Sequence, residues 1–121
     1  MARRTAVLLV AFLIALLALP TLAYALTVYD IVAGPDPLVT YTYFTATTSP
    51  SDYALDIIEI NVYNLQSQLV ATISDEDVYR VYWTGGNLAN RVYYYYAWFY
   101  NYDAEEIDTG TFGPYQLVIC K

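Results

Sequence analysis

Polar and apolar positions alternate with a period of two through most of the chain after Leu26, and no stretch there sustains the 3.6-residue apolar period of an amphipathic helix. In Leu55–Tyr63 (LDIIEINVY), Ile58, Ile60 and Val62 fall on one face and Glu59 and Asn61 on the other, the pattern of a half-buried strand. Leu26–Ala33 reads as a short apolar strand. It is ended by Gly34-Pro35-Asp36-Pro37, where two prolines and a glycine impose a turn. Leu38–Thr48 (LVTYTYFTATT), with Thr and Tyr alternating, predicts the next strand, and Ser49-Pro50-Ser51-Asp52 the next turn. Asn64–Gln68 is a polar hairpin connection, Leu69–Ser74 a returning strand and Asp75-Glu76-Asp77 the start of a loop. Val78–Thr84 predicts a further strand, closed by Gly85-Gly86-Asn87.

The longest strand signal is Arg91–Tyr102, RVYYYYAWFYNY. Nine of its twelve residues are β-branched or aromatic, and it holds no Gly, Pro or acidic residue. Val92, Tyr94, Tyr96, Trp98, Tyr100 and Tyr102 share one face of such a strand; Arg91, Tyr93, Tyr95, Ala97, Phe99 and Asn101 share the other. Both faces are aromatic, so the strand is expected to be central, with a core on one side and a second contact on the other. Asp103–Glu106 predicts a tight turn. Gly110, Gly113 and Pro114 bend or bulge the chain after that turn, and Tyr115–Cys120 closes it as a last strand. Together these signals predict an all-β fold, an antiparallel β-sandwich of about seven or eight strands.

The first 25 residues have a different pattern. Arg3 and Arg4 precede the unbroken apolar run Ala6–Leu19, Pro20 ends it, and Ala23-Tyr24-Ala25 supplies the small residues of a cleavage site. The run is shorter than the roughly 20 residues of a membrane span. The expectation is an N-terminal hydrophobic signal helix, residues 1–25, cleaved before Leu26 to leave one domain, 26–121, that is secreted or held at the cell surface. Two alternatives stay open. One is a retained membrane anchor, since apolar residues resume as far as Val32. The other is a pilin-like leader cut just after Arg3-Arg4 or Thr5, against which Pro20 and the Ala-x-Ala site argue.

Charge narrows the partners. All twelve acidic residues lie after Leu26, against three basic ones, Arg80, Arg91 and Lys121, for a net charge of −9. Nucleic acid and anionic membrane surfaces are disfavoured, because phosphate binding needs Lys and Arg. The chain has no histidine, so triads built on that residue are excluded. The single cysteine, Cys120, cannot form an internal disulfide. It either closes the last strand as a small apolar residue or joins two subunits by an intermolecular disulfide.

Ile58–Tyr63 (IEINVY), Tyr95–Asp103 (YYAWFYNYD) and Gly110–Ile119 (GTFGPYQLVI) resemble an inner strand, the long strand before a polar hairpin and the last strand of immunoglobulin-like and fibronectin-type-III-like extracellular modules. The resemblance covers most of residues 38–120 and lacks the antibody-type Cys…Trp…Cys spacing. It implies a role in surface display, adhesion, filament assembly or spacing, by analogy of fold alone.

Two sets of residues carry candidate chemistry. Asp103, Glu105 and Asp108, with Asp75 and Asp77 from another loop, would hold calcium if the two loops met at one end of the sandwich; otherwise these are solvated turn carboxylates and no cofactor is implied. Tyr93, Tyr95 and Phe99, extended by Tyr41, Tyr43, Tyr79 and Tyr82 from neighbouring strands, form the expected interface, with the Trp98 face filling the core. The sequence thus predicts an exported, non-enzymatic structural or assembly protein. It would contact itself, as a homo-oligomer or filament, or another surface protein through a Tyr-rich sheet, with Leu26–Ala33 available as a donated strand. The alternative is a monomeric binding module for a carbohydrate or protein ligand, stabilised by calcium.

Overall fold

A computed structural model describes residues 25–121, so the expected signal segment lies, but for its last residue, outside the described residues. Seven strands run in order: β1 (Thr27–Gly34), β2 (Thr42–Ser49), β3 (Leu55–Tyr63), β4 (Leu69–Val78), β5 (Arg80–Trp83), β6 (Val92–Asp103) and β7 (Glu106–Val118). They form two antiparallel sheets, one ordered β1-β2-β5 and the other β4-β3-β6-β7. The all-β expectation holds, and the long Tyr strand is internal to its sheet, paired with β3 on one side and β7 on the other.

Several local expectations are corrected. The last strand, read as Tyr115–Cys120, is the end of β7, which begins at Glu106 and stops at Val118. The strand read from Leu38 begins only at Thr42. Leu38 itself forms a parallel bridge to Ile119, its N–H donating to Val118 O at 2.7 Å and its carbonyl accepting from Cys120 N at 2.8 Å. It is fully buried there, so the Pro35–Pro37 turn carries the chain from one sheet to the edge of the other. Asp75-Glu76-Asp77 is not a loop but part of β4, where Ile57 faces Glu76 and Ile58 faces Asp75. Pairing with β3 overrides the poor strand propensity of three consecutive acids.

The core lies between the sheets. Ile31, Phe44 and Val81 come from the three-stranded sheet; Leu55, Ile58, Ile60, Val62, Tyr95, Ala97, Phe99 and Leu117 come from the other. Phe44 meets Tyr95 edge-on at 5.0 Å, joining the layers. At the entry to β6 the Tyr93 hydroxyl donates to Ala89 O at 2.7 Å, fixing the loop from β5 against the start of the strand. Near the middle of the β6–β7 ladder, Tyr95 pairs with Tyr115 but Ala97 with Phe112, so β7 carries one extra residue. That is the bulge expected from Gly113-Pro114. Gly113 has φ +111°, and a Cβ there would lie 2.6 Å from the Tyr95 carbonyl oxygen.

Candidate functional site

The register of β6 decides which aromatics are free. Ile58, Ile60 and Val62 of β3 face Phe99, Ala97 and Tyr95, so the aliphatic face of β3 carries that side of β6 into the core with it. Tyr93, Tyr95 and Phe99 are buried, Tyr95 to 1 % exposure. The expected interface face is therefore the inner one, and the Trp98 face expected in the core points outward. The inner face packs because Ala97 is small and Gly110 lies beneath Phe99, where a Cβ would come within 2.7 Å of that ring. Tyr41, Tyr43, Tyr79 and Tyr82 do not extend the β6 face either. Tyr43 and Tyr82 belong to the outer side of the three-stranded sheet, on β2 and β5, with Tyr41 stacked on Tyr82.

A single row faces out from β6: Tyr94, Tyr96, Trp98, Tyr100 and Tyr102. At about 3.4 Å per residue it runs roughly 27 Å along the sheet. Trp98 and Tyr100 lie 6.4 Å apart at 30°, and Tyr63 of β3 stands edge-on to Tyr96 at 5.7 Å. Polar side chains bank the row. Glu59 is opposite Trp98 and Asn61 opposite Tyr96 on β3; Thr111 is opposite Trp98 and Gln116 opposite Tyr94 on β7. The β3 bank is held by its own hydrogen bonds. Thr72 Oγ1 donates to Asn61 Oδ1 at 2.9 Å, and Asn61 Nδ2 reaches Glu59 Oε2 at 3.5 Å.

Two hollows adjoin along this trough. The first, of about 530 Å³, is lined by Glu59, Asn61, Tyr63, Tyr96, Trp98 and Thr111. The second, of about 470 Å³, is lined by Tyr63, Asn64, Ser67, Tyr94, Tyr96 and Pro114. The Tyr63–Tyr96 pair is the ridge between them. Asn64 is set by the β3–β4 turn, where its Oδ1 accepts the N–H groups of Gln66 and Gln68, both at 3.0 Å. This local Asx arrangement explains why the polar hairpin is tight.

The acidic residues do not converge as the calcium reading required. Asp75 and Asp77 lie on β4, Asp103, Glu105 and Asp108 at the β6–β7 hairpin, and β3 runs between the two strands. Asp103 Oδ2 accepts the Tyr53 hydroxyl at 3.0 Å, while Asp75 Oδ1 caps the N–H of Glu76 at 2.8 Å. Among the described residues no group of three or more His, Cys, Asp or Glu side chains is placed to hold a metal ion. Cys120 is free and exposed near the end of the chain.

The edge of β1 has its own partners. Two N–H groups on that edge, of Ala33 and Ile31, are taken, one by the Tyr95 phenol oxygen at 2.8 Å and the other by Asp30 Oδ1 at 2.9 Å. The Tyr115 hydroxyl donates to the same Asp30 oxygen at 2.6 Å. Burial pushes the Tyr95 hydroxyl pKa up to about 12, and the hydrogen bond to Asp30, with burial adding to it, raises that of Tyr115. The strand read as available for donation is paired with its own neighbour, from Thr27 opposite Ser49 to Gly34 opposite Tyr43.

No protein-family model, curated protein or solved structure matches this chain. Any reading of its function therefore rests on the sandwich and its outward aromatic trough. Sequence reasoning passed over Glu59, Asn61, Tyr63, Tyr94, Tyr96 and Thr111. They come together only through the pairing of β6 with β3, which sets Ile60 opposite Ala97 and leaves the Trp98 face outward.

Proposed function

We propose that this chain is an exported, non-enzymatic contact module of a cell-surface or extracellular assembly, immunoglobulin-like in fold, which binds its partner through the outer face of the four-stranded sheet. Strand order supports the fold reading. With β1, β2 and β5 in one sheet and β4, β3, β6 and β7 in the other, the chain has the order of an immunoglobulin-type sandwich with its fourth strand moved beside the third. The Tyr93–Ala89 hydrogen bond at the start of the sixth strand resembles the tyrosine corner of such modules.

The observation that carries the functional reading is the row from Tyr94 to Tyr102, with Tyr94 40 % and Tyr102 54 % exposed. Aromatic side chains with a polar rim are the composition of a protein contact surface. A face contact suits this molecule better than strand addition, because the sheet edges are blunted. β1 has partners on its edge N–H groups, β4 carries Asp75, Glu76 and Asp77, β5 is four residues long, and β7 is interrupted by its bulge and Pro114. Non-enzymatic action is favoured by the absence of histidine from the sequence and by the open, shallow form of the trough.

The test is the mass of the purified protein in solution as a function of concentration. Association that is lost in Tyr96→Asp with Trp98→Asp, at unchanged thermal stability, supports the proposal. Association unaffected by that pair of changes overturns it. A second reading, a stacking platform for a neutral sugar chain, is favoured by the two adjoining hollows with amide and hydroxyl groups on their walls. It expects a monomer whose Trp98 fluorescence responds to neutral oligosaccharides.

A further inference from the structure

We infer that the partner seated on this trough is a second copy of the chain, presenting the outer face of its three-stranded sheet with Arg80 directed at Glu59. The inference rests on the contact-face reading above and names its partner.

The outer side of the three-stranded sheet is the complement of the trough in both chemistry and charge. Tyr41, Tyr43 and Tyr82 form a cluster with ring centroids 5.5–5.8 Å apart. The Arg80 guanidinium lies 4.1 Å over the Tyr43 ring and 5.5 Å from that of Tyr79. A guanidinium stacked on aromatic rings keeps the donors at its edge free for a carboxylate. Of the three basic residues after Leu26, Lys121 is committed through its ammonium to Gly86 O and Arg91 precedes β6. Arg80 is thus the basic side chain carried on a strand.

On the opposite side of the sandwich, Glu59 lies in an aromatic trough with Trp98 and Tyr96, and Asn61 at 3.5 Å is a weak partner for it. A carboxylate beside the half-buried indole of Trp98 and the exposed phenol of Tyr96 suits an arginine in two ways, by charge-assisted hydrogen bonding and by cation–π attraction. Tyr and Arg on one face and Trp and Tyr on the other are the residue types that dominate protein contacts.

The geometry of the two faces sets the form of the assembly. They lie on opposite sides of one sandwich, so a copy can seat one neighbour in its trough and offer its Arg80 face to the next. Such a contact is heterologous and does not close on a pair; it builds an open stack. Four strands about 4.8 Å apart and a row of about 27 Å give a face of roughly 500 Å², below the ~800 Å² per partner of a stable pair. Each contact is therefore weak, and stacks grow with concentration.

Charge reversal tests the pairing. By sedimentation velocity, Glu59→Arg alone and Arg80→Glu alone each weaken self-association by about tenfold or more, since each sets like charges together at every contact. A one-to-one mixture of the two variants regains association, as does the chain carrying both changes. Both positions are on outer faces, and an unchanged melting temperature shows that each variant is folded. Single variants that associate like the wild type, or a mixture that stays monomeric, overturn the inference. If association is then still lost in Trp98→Ser, the trough remains the contact face and only the Arg80 pairing fails. A wild-type protein that is monomeric at every concentration, with Trp98 fluorescence that responds to neutral oligosaccharides, overturns both in favour of the sugar platform.

Discussion

The phenol oxygen of Tyr95 accepts the backbone N–H of Ala33 at 2.8 Å, a hydrogen bond from the four-stranded sheet to the edge of the three-stranded one. The central strand thereby holds the first strand in place and occupies a donor that an added strand would use. Tyr95→Phe keeps the ring against Phe44 but leaves the Ala33 N–H without its partner. A loss of about 1–2 kcal/mol is expected in denaturant unfolding, with faster amide exchange at Ala33. Exchange at Ala33 as slow as in the wild type would show that the bond does not hold the strand.

The same phenol makes the fold sensitive to alkali. Burial keeps the Tyr95 proton in place up to about pH 12, whereas an unperturbed tyrosine loses it at 10.0. Between those values the native state binds more protons than the unfolded chain, so stability is fully present below pH 10 and falls as pH rises toward 12. Tyr115, raised by its hydrogen bond to Asp30, acts in the same direction, because its phenolate would face a carboxylate. The expected loss from Tyr95 is on the order of 2 kcal/mol across this window. The pH profile of Tyr95→Phe should be flatter there, and an equally steep profile would assign the loss to other groups.

The two-residue period makes β3 and β6 legible in the sequence, and Gly113-Pro114 marks the bulge in β7. It does not determine which face of β6 is buried, and the expectation that the Trp98 face fills the core fails, because both faces are aromatic and a shift of one residue exchanges them. The inner face carries Asn101 and is preceded by Arg91, so by polarity it reads as the outer one, while the Trp98 face reads as core. The pairing with β3 decides the matter, setting Ile60 opposite Ala97 and Val62 opposite Tyr95. That information is held in the register between strands and not in either strand alone. Asp75-Glu76-Asp77 was illegible for a similar reason, since only its pairing with β3 makes three acids a strand.

Gly113 is required by backbone geometry. At φ +111° it lies where side chains are rarely tolerated, and a Cβ would collide with the Tyr95 carbonyl at 2.6 Å. Gly113→Ala should cost about 1–3 kcal/mol and remove or shift the bulge, moving Tyr115 off Asp30. Gly34→Ala, where a Cβ meets nothing within 4 Å, is the control and should change stability by about 0.5 kcal/mol or less. Equal effects in thermal unfolding at the two glycines would show that the bulge does not depend on Gly113.

Residues on the two faces of β6 separate stability from contact. Phe99 is buried against Phe112, the two rings 6.2 Å apart and nearly parallel, so Phe99→Ala opens a cavity and should cost about 3–5 kcal/mol. Tyr96, three residues earlier and on the outer face, meets mainly Tyr63, and Tyr96→Ala should cost about 1 kcal/mol or less. Partner binding should show the opposite order: lost in Tyr96→Ala, and kept by Phe99→Ala wherever the variant stays folded. Unfolding curves and association measured on the same two proteins test this directly. Were Tyr96→Ala as destabilising as Phe99→Ala, the outer row would be structural, and the aromatic trough would no longer qualify as a contact surface.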